Sequence, residues 1–298
     1  LIELMNNTGE FQGQFATPEQ EHAIRVELGL DGPLVVRYWH WISRIVLHAD
    51  FGDAILGGGE QRPVKELIAA RMPYTIYLAV FTILIMWSFA IPVGIYSAMR
   101  QHSVGDYFFT LLGFTGIAVP DFLLGLVLMY VAFAYFNHSV GGLFSGDYLN
   151  APWSVARVID MLQHLIIPGI VLGTAGTAGL IRIMRNNLLD ELGKPYVVTA
   201  RSKGMASWKL VVKYPVRVAI NPFVSGIGQM LPALVSGSVI VSVVLSLPTE
   251  GPLLLRALLA EDLFVSAAIV LLLGTLTVIG TLLSDILLGI LDPRIRMG

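Results

Sequence analysis

YVVTARSKGMASWKLVVKYP, residues 196–215, is a basic stretch interrupted by one glycine, in a chain that is otherwise mostly apolar. Of 298 residues, 55% are hydrophobic and 13% charged, and the mean hydropathy is +0.72. Soluble domains carry about 25% charged residues. The composition is that of an integral membrane protein, and the quoted stretch is a segment that leaves the bilayer.

Five apolar runs flank it or lie beyond it: 74–98, 107–136, 161–189, 219–247 and 265–291. Each is long enough to cross a hydrocarbon core about 30 Å thick. All contain Pro or Gly, including Pro92, Pro120, Pro168 and Pro232, which membrane helices tolerate where neighbouring helices or polar side chains take up the freed backbone groups. The predicted fold is all-α, a kinked polytopic helix bundle over 73–298. Between Arg182 and Arg217 lie eight of the nineteen Lys and Arg, namely 182, 185, 194, 201, 203, 209, 213 and 217. Lys and Arg concentrate in cytoplasmic loops, so this side is expected to be cytoplasmic. Alternation puts 100–106 and the tail 292–296 on the same side, and 137–160, 248–264 and 1–72 on the other.

The segment 1–72 carries ten acids against six bases and reads as two or three short extracytoplasmic surface helices. Thr17-Pro18-Glu19-Gln20 has the order of a helix start, with Gly29 as a stop. VVRYWHWISRIVLHAD, 35–50, is amphipathic, and its Tyr38, Trp39 and Trp41 suit either the headgroup level of a bilayer or a small core. The chain begins at Leu1 with no signal-peptide pattern, and a chain that enters from outside predicts a further span upstream.

Small faces at Gly113 and Gly116, and at Gly169, Gly173, Gly176 and Gly179, predict close helix packing, since in lipid such faces let backbones approach. GTAGTAG, 173–179, lacks the following Lys-Ser/Thr of a phosphate-binding loop. With no cysteine, six scattered histidines and no HExxH spacing, no metal site or catalytic residue is expected. Ser238 lies in a Gly-x-Ser-like context, but neither of the last two spans has a His to act as base. Net charge is -2, which offers nothing to nucleic acid. Intramembrane polar residues point to function. Asp121, Gln229, Ser236, Ser238 and Ser242 are therefore candidates for lining a translocation path; a carboxylate capping amides freed near Pro120 is the favoured account of Asp121, and helix-helix hydrogen bonds explain the others as well. Asp285 reads as a near-interface charge paired with a base.

Within the basic stretch, 195–203 reads as a short helix that breaks at Gly204, where no side chain obstructs a left-handed conformation. Ser207 is expected to cap a second helix running into the membrane near Pro222. Positive-inside bias explains the charges but not this helix, glycine, helix order. Tyr196-Val197-Val198-Thr199-Ala200-Arg201-Ser202-Lys203-Gly204-Met205 resembles the cytoplasmic coupling motif of permease subunits of ATP-binding-cassette importers, in the dipeptide/oligopeptide branch. The resemblance extends to Glu27-Leu28-Gly29-Leu30-Asp31, Arg62-Pro63-Val64, Arg71-Met72-Pro73-Tyr74-Thr75, Val119-Pro120-Asp121-Phe122, the pair Arg182 and Arg185, and 291–296.

The resemblance implies a type I importer bundle whose sixth, first-in-chain span precedes Leu1. It assigns ATPase coupling to Tyr196, Thr199, Ala200, Arg201, Lys203, Gly204, Met205 and Ser207 in the loop 190–218. It also implies a second permease subunit, cytoplasmic ATP-binding subunits that hold ATP and Mg, an extracytoplasmic substrate-binding protein, and contact with membrane lipid; no cofactor is expected on this chain. Tyr214, Pro215, Val218 and Ser242 depart from the family's His, Ala, Asn and Glu. They leave peptide, nickel and oligosaccharide open as the solute. An ion-coupled carrier or channel using Asp121 is the alternative of a different class.

Overall fold

The computed structural model describes residues 22, 32–54, 62–136 and 141–291. In chain order the elements are helix α1 (Leu34–His48), an antiparallel two-residue pair β1 (Asp53–Ala54) and β2 (Arg62–Pro63), α2 (Val64–Met99), α3 (Val104–Ala118), α4 (Asp121–Phe136), a 3-10 turn (Gly146–Tyr148), α5 (Val155–Leu192), α6 (Pro195–Ser202), α7 (Ser207–Lys213), α8 (Pro215–Ala219), α9 (Asn221–Ser225), α10 (Ile227–Gly237), α11 (Val239–Val244), α12 (Glu250–Leu259) and α13 (Leu263–Leu291). The expected start at 17–20, the stop at Gly29 and the tail 292–296 lie outside the described residues. The chain divides into two compact units, Leu1–Pro73 with Leu253–Leu272, and Tyr74–Pro252 with Leu273–Gly298.

In the first unit α1 is amphipathic, but none of its residues is buried. Tyr38 and Trp39 are exposed and Trp41 is half-buried, so the aromatic group is not a core. After α1 the chain turns through Ala49 at φ 50°. Asp50 then accepts the Gly52 N–H at 3.0 Å and the Arg44 guanidinium at 2.6 Å. The Gly52 amide first, and Arg44 with it, hold the Asp50 carboxyl below its usual range. Gly52 O accepts the Val64 N–H at 2.9 Å, and a Cβ on Gly52 would stand 2.8 Å from the Phe264 ring. The start of α2 is thereby tied to the turn after α1.

Three helices, α2, α5 and α13, are long and apolar enough to cross a membrane; five spans result if each of two bent pairs counts as one. Two of the expected spans are bent pairs of helices. Run 107–136 is not one helix: α3 and α4 meet at 104° across Val119-Pro120, because Pro120 has no N–H for the ladder and holds the residue before it extended; Val119 has ψ 125°. Run 219–247 is also broken, with the 207–225 and 227–237 segments bent by 48°; prolines at 215, 222 and 232 and glycines at 226, 228 and 237 recur through it. The second helix of the basic loop therefore does not run unbroken into the membrane.

In the second unit the bent pair nonetheless follows α5 once from end to end. Asp106 meets Arg185, a Cβ on Gly113 would touch Ala178, one on Gly116 Thr174, and one on Gly125 Val171; beyond α4, Ser145 meets Asp160. Arg185 and Asp160 are separated by about 37 Å of helix at 1.5 Å per residue, so α3 and α4 together make one bent crossing and not a re-entrant loop. The glycine faces pack as predicted: a Cβ on Gly169 would stand 2.9 Å from Ile85 Cδ1, one on Gly173 3.1 Å from Met86 Cγ, and one on Gly176 would collide with Met86 Cε. Gly179 is the exception, with open space around it.

At the Asp160 end of α5 the loop before it is folded down onto the helix. Arg157, 8% exposed, lies 4.6 Å from the centroids of both Phe144 and Trp153 and donates to the carbonyls of Leu149 and Ala151. Asp160 accepts the Ser145 N–H at 2.9 Å and its hydroxyl at 2.5 Å. His164, buried one turn on, places Nδ1 2.8 Å from Asp160 O.

Candidate functional site

The site is built on the α6–α7 corner, where the chain leaves α5. Helix α5 ends at Leu192, with Gly193 still right-handed, and α6 starts with Pro195 in its first turn, where the missing N–H costs nothing. Residue 204 then adopts φ +77°, the left-handed conformation that favours glycine. It lets Met205 N–H reach back to Ala200 O at 3.4 Å and turns the chain into α7. The expected break is present at its residue. The expected cap is not: Ala206 occupies the cap position, and Ser207 is the first helical residue, with no side-chain cap hydrogen bond.

Burial sorts the eight residues of the coupling assignment, with Val197 beside them, into two sets. Val197 is fully buried and Ala200 and Met205 are half-buried; all three pack into a cluster with Met184 and Leu188 of α5, Ala98 of α2, and Leu210 and Val211 of α7. Ala200 and Met205 therefore also seat the corner on the bundle. Tyr196, Thr199, Arg201, Lys203, Gly204 and Ser207 are exposed. Tyr196 is steadied by its hydroxyl, which donates to Glu191 Oε2 at 2.5 Å, and by the Tyr214 ring at 6.5 Å. The Thr199 hydroxyl donates to Pro195 O at 3.0 Å. A Cβ on Gly204 would meet nothing within 4 Å, so its surroundings are open for another chain to approach.

Two residues of this face were missed by the sequence reading. Val198 is 57% exposed and Trp208 64%, with Lys209 Nζ 5.5 Å from the Trp208 ring. The signal was present in the helical period. Leu210 and Val211 fix the inward side of α7, which leaves Trp208, two positions before Leu210, pointing away. An exposed Trp among basic residues is the composition of an interaction surface, not of a solvated loop.

The polar residues proposed for a translocation path do not share a face. Gln229 and Ser236 are exposed with Ala233, Gly237 and Ile240 between and beyond them at helical spacing. Ser238 and Ser242 are buried. The Ser238 hydroxyl donates to Val235 O at 2.8 Å, the Ser236 hydroxyl to Pro232 O at 2.5 Å, and the Ser242 hydroxyl is buried with no hydrogen-bond partner among the described residues. Helical spacing alone separates the two pairs: Ser238 and Ser242, four apart, fall on the side of Leu231, Val235 and Leu245, and Gln229 and Ser236, seven apart, fall on the other. Asp121 stands in the first turn of α4, immediately after the bend, and is half-buried. Its carboxylate has no hydrogen bond or ion pair among the described residues, so the expected capping of amides near Pro120 is absent. Asp285 is exposed and unpaired among the described residues, and the bases of the tail lie outside them. No group of three or more metal-ligating side chains occurs among the described residues.

Residues 90–297 match the family of binding-protein-dependent transport system inner membrane components, and residues 6–79 match the N-terminal model of the same membrane component. The chain is 37% identical over 269 residues to the oligopeptide transport system permease protein AppB of Bacillus subtilis, covering 90% of this chain and 82% of that protein. It is 32% identical over 296 residues to the dipeptide transport system permease protein DppB of Escherichia coli K12, covering 94% and 86%. A putative peptide permease protein of Brucella ovis is 34% identical over 281 residues, with the same two coverages of 94% and 86%.

Proposed function

The chain belongs to the family of binding-protein-dependent transport system inner membrane components, and from that membership we propose that it is one of two permease subunits of an ATP-driven importer that moves short peptides inward. Support for peptides comes from the relatives AppB and DppB, which are an oligopeptide and a dipeptide permease by name. The basic end of the bundle is cytoplasmic by the positive-inside rule, and an external binding protein delivers the solute at the other end. ATP and Mg are held by partner subunits, since this chain has no Walker-type loop.

One observation carries the mechanism: the α6–α7 corner has an uncovered outer face and a buried inner face. Closure of the ATPases loads the outer face at Tyr196, Arg201, Lys203 and Trp208. The load passes through Val197, Ala200 and Met205 into the cluster shared with α5 and α2. A packed cluster transmits displacement because it has few voids to absorb it. The bundle then switches between two packings, which is alternating access. Gln229 and Ser236 remain candidates for the path, since they are uncovered.

The test is reconstitution of the chain with its partner subunits in proteoliposomes, with ATP on the ATPase side and a binding protein loaded with radiolabelled trialanine on the other. ATP-dependent uptake is expected. Uptake by the chain alone, without ATPase subunits, would instead establish the ion-coupled reading, which the two broken spans and the unpaired Asp121 favour.

A further inference from the structure

Of the eight bases between 182 and 217, Arg185 alone pairs with an acid among the described residues. It lies two turns before the end of α5 and donates Nε and Nη2 to the two oxygens of Asp106 at 3.2 and 3.1 Å. Asp106 is 3% exposed and stands in the first turn of α3. Its Oδ2 also accepts the His102 N–H at 3.0 Å, in the turn that follows α2. Ser103 caps the helix by accepting the Asp106 N–H at 3.2 Å. One carboxylate thus joins the turn after α2, the start of α3 and the part of α5 that leads toward α6.

The rest of the α3–α5 contact is extensive but carries no other ion pair among the described residues. It is a close approach of small residues, Gly113 against Ala178 and Gly116 against Thr174, with the Arg182 guanidinium 5.7 Å from the Phe114 ring. Tyr107, Phe108, Leu111, Leu112 and Ile117 are exposed and face away from the bundle. Small-residue contacts allow sliding, whereas a bidentate guanidinium-carboxylate pair fixes orientation. Its loss strands a buried charge.

We propose that Arg185 and Asp106 are the positioning pair that carries displacement of the α6–α7 corner into the bent span α3–α4. Movement of α6 reaches α5 through Val197, Ala200 and Met205, which pack with Met184 and Leu188. The ion pair makes α3 follow, and the 104° bend at Val119-Pro120 converts that shift into movement of α4. Without the pair, α5 moves and α3–α4 lag. Nucleotide is then hydrolysed without solute transfer. The inference rests on the importer reading above.

The test uses the assembled transporter in proteoliposomes and reads uptake of trialanine per ATP hydrolysed. Asp106→Asn and Arg185→Gln are each expected to lower that ratio by about tenfold, the scale of a typical coupling energy, while ATPase subunits still co-purify. The exchange Asp106→Arg with Arg185→Asp should restore part of it. A second rescue does not depend on charge. The chain has no cysteine, and a Cβ on Gly113 would stand 3.2 Å from Ala178 Cβ, close to disulfide range. Gly113→Cys with Ala178→Cys in the Asp106→Asn background should restore the ratio when oxidised and lose it when reduced. A wild-type ratio in Asp106→Asn overturns the proposal. So does a parallel fall in hydrolysis and uptake, or an oxidised cross-link that restores nothing. A wild-type complex with no ATP-driven uptake refutes the importer reading itself, which separates the two failures.

Discussion

Gly228 of α10 and Gly280 of α13 cross with no side chain between them. A Cβ on Gly280 would stand 3.0 Å from Gly228 Cα, and one on Gly228 would stand 2.6 Å from Thr281 N. The obstructing atoms are backbone, so no rotamer change relieves the overlap. Beside this crossing the Ser284 hydroxyl donates to Val224 O at 2.5 Å, one of the carbonyls freed where the span is broken.

Replacing Gly228 by Leu is therefore expected to force the two helices apart at a cost of about 1–3 kcal/mol or more. Thermal unfolding in detergent should show a Tm several degrees lower. An unchanged melting curve would mean that the crossing is looser than described.

At Gly204 the obstacle is conformation and not space. Gly204→Ala keeps open surroundings but places a side chain at φ +77°, costing about 1–2 kcal/mol, and Gly204→Asn costs less. Both should retain ATPase subunits through purification. Gly204→Trp fills the open side and is expected to lose them, while substrate still binds the external receptor protein. Full ATP-dependent uptake by the Trp variant would remove Gly204 from the docking face.

Trp208 and Leu210 separate contact from support. Trp208→Ala should change the chain's own stability by less than about 0.5 kcal/mol, yet weaken ATPase capture by about 2 kcal/mol, roughly thirtyfold. Leu210→Ala, at a position 1% exposed, should destabilise the chain by about 2–5 kcal/mol. Pull-down and thermal melting on the same two variants check both halves, and identical behaviour of the pair would contradict the sorting.

The buried Ser242 hydroxyl has no partner among the described residues, so Ser242→Ala is expected to leave uptake unchanged and to hold or raise stability. Gln229→Ala, on the exposed side, should reduce uptake several-fold with folding intact if the path runs there. A transport loss confined to Ser242→Ala would reverse this assignment.

Arg157→Met removes charge-assisted hydrogen bonds to two loop carbonyls and the cation between Phe144 and Trp153. A loss of about 1.5–3 kcal/mol per charged hydrogen bond should release the loop 141–154, read as faster proteolytic cleavage there than in the wild type. Equal cleavage rates would show that Asp160 holds the loop alone.

By itself the sequence determined the class of protein, the number of apolar runs, the basic end, and the helix-glycine-helix order at 195–213. These are local properties. Hydropathy is summed over contiguous residues, charge bias is read by counting, and a left-handed glycine between two helices is a matter of a few dihedral angles. Pro120 likewise announced that its run would be kinked.

Only the tertiary structure decided what those interruptions do. A proline sets where a ladder fails, but the bend of 104° after α3 and that of 48° before α10 depend on what the next segment packs against. The same holds for side. Helical spacing puts Ser238 and Ser242 opposite Gln229 and Ser236, but which of the two sides is buried depends on the neighbouring helices. The pairing of Asp106 with Arg185 spans 79 positions, and no local pattern specifies it. An ordinary Asp in a first turn and an ordinary Arg near a helix end meet because α3 lies along α5, and that arrangement is set by glycine faces whose partners the sequence does not name.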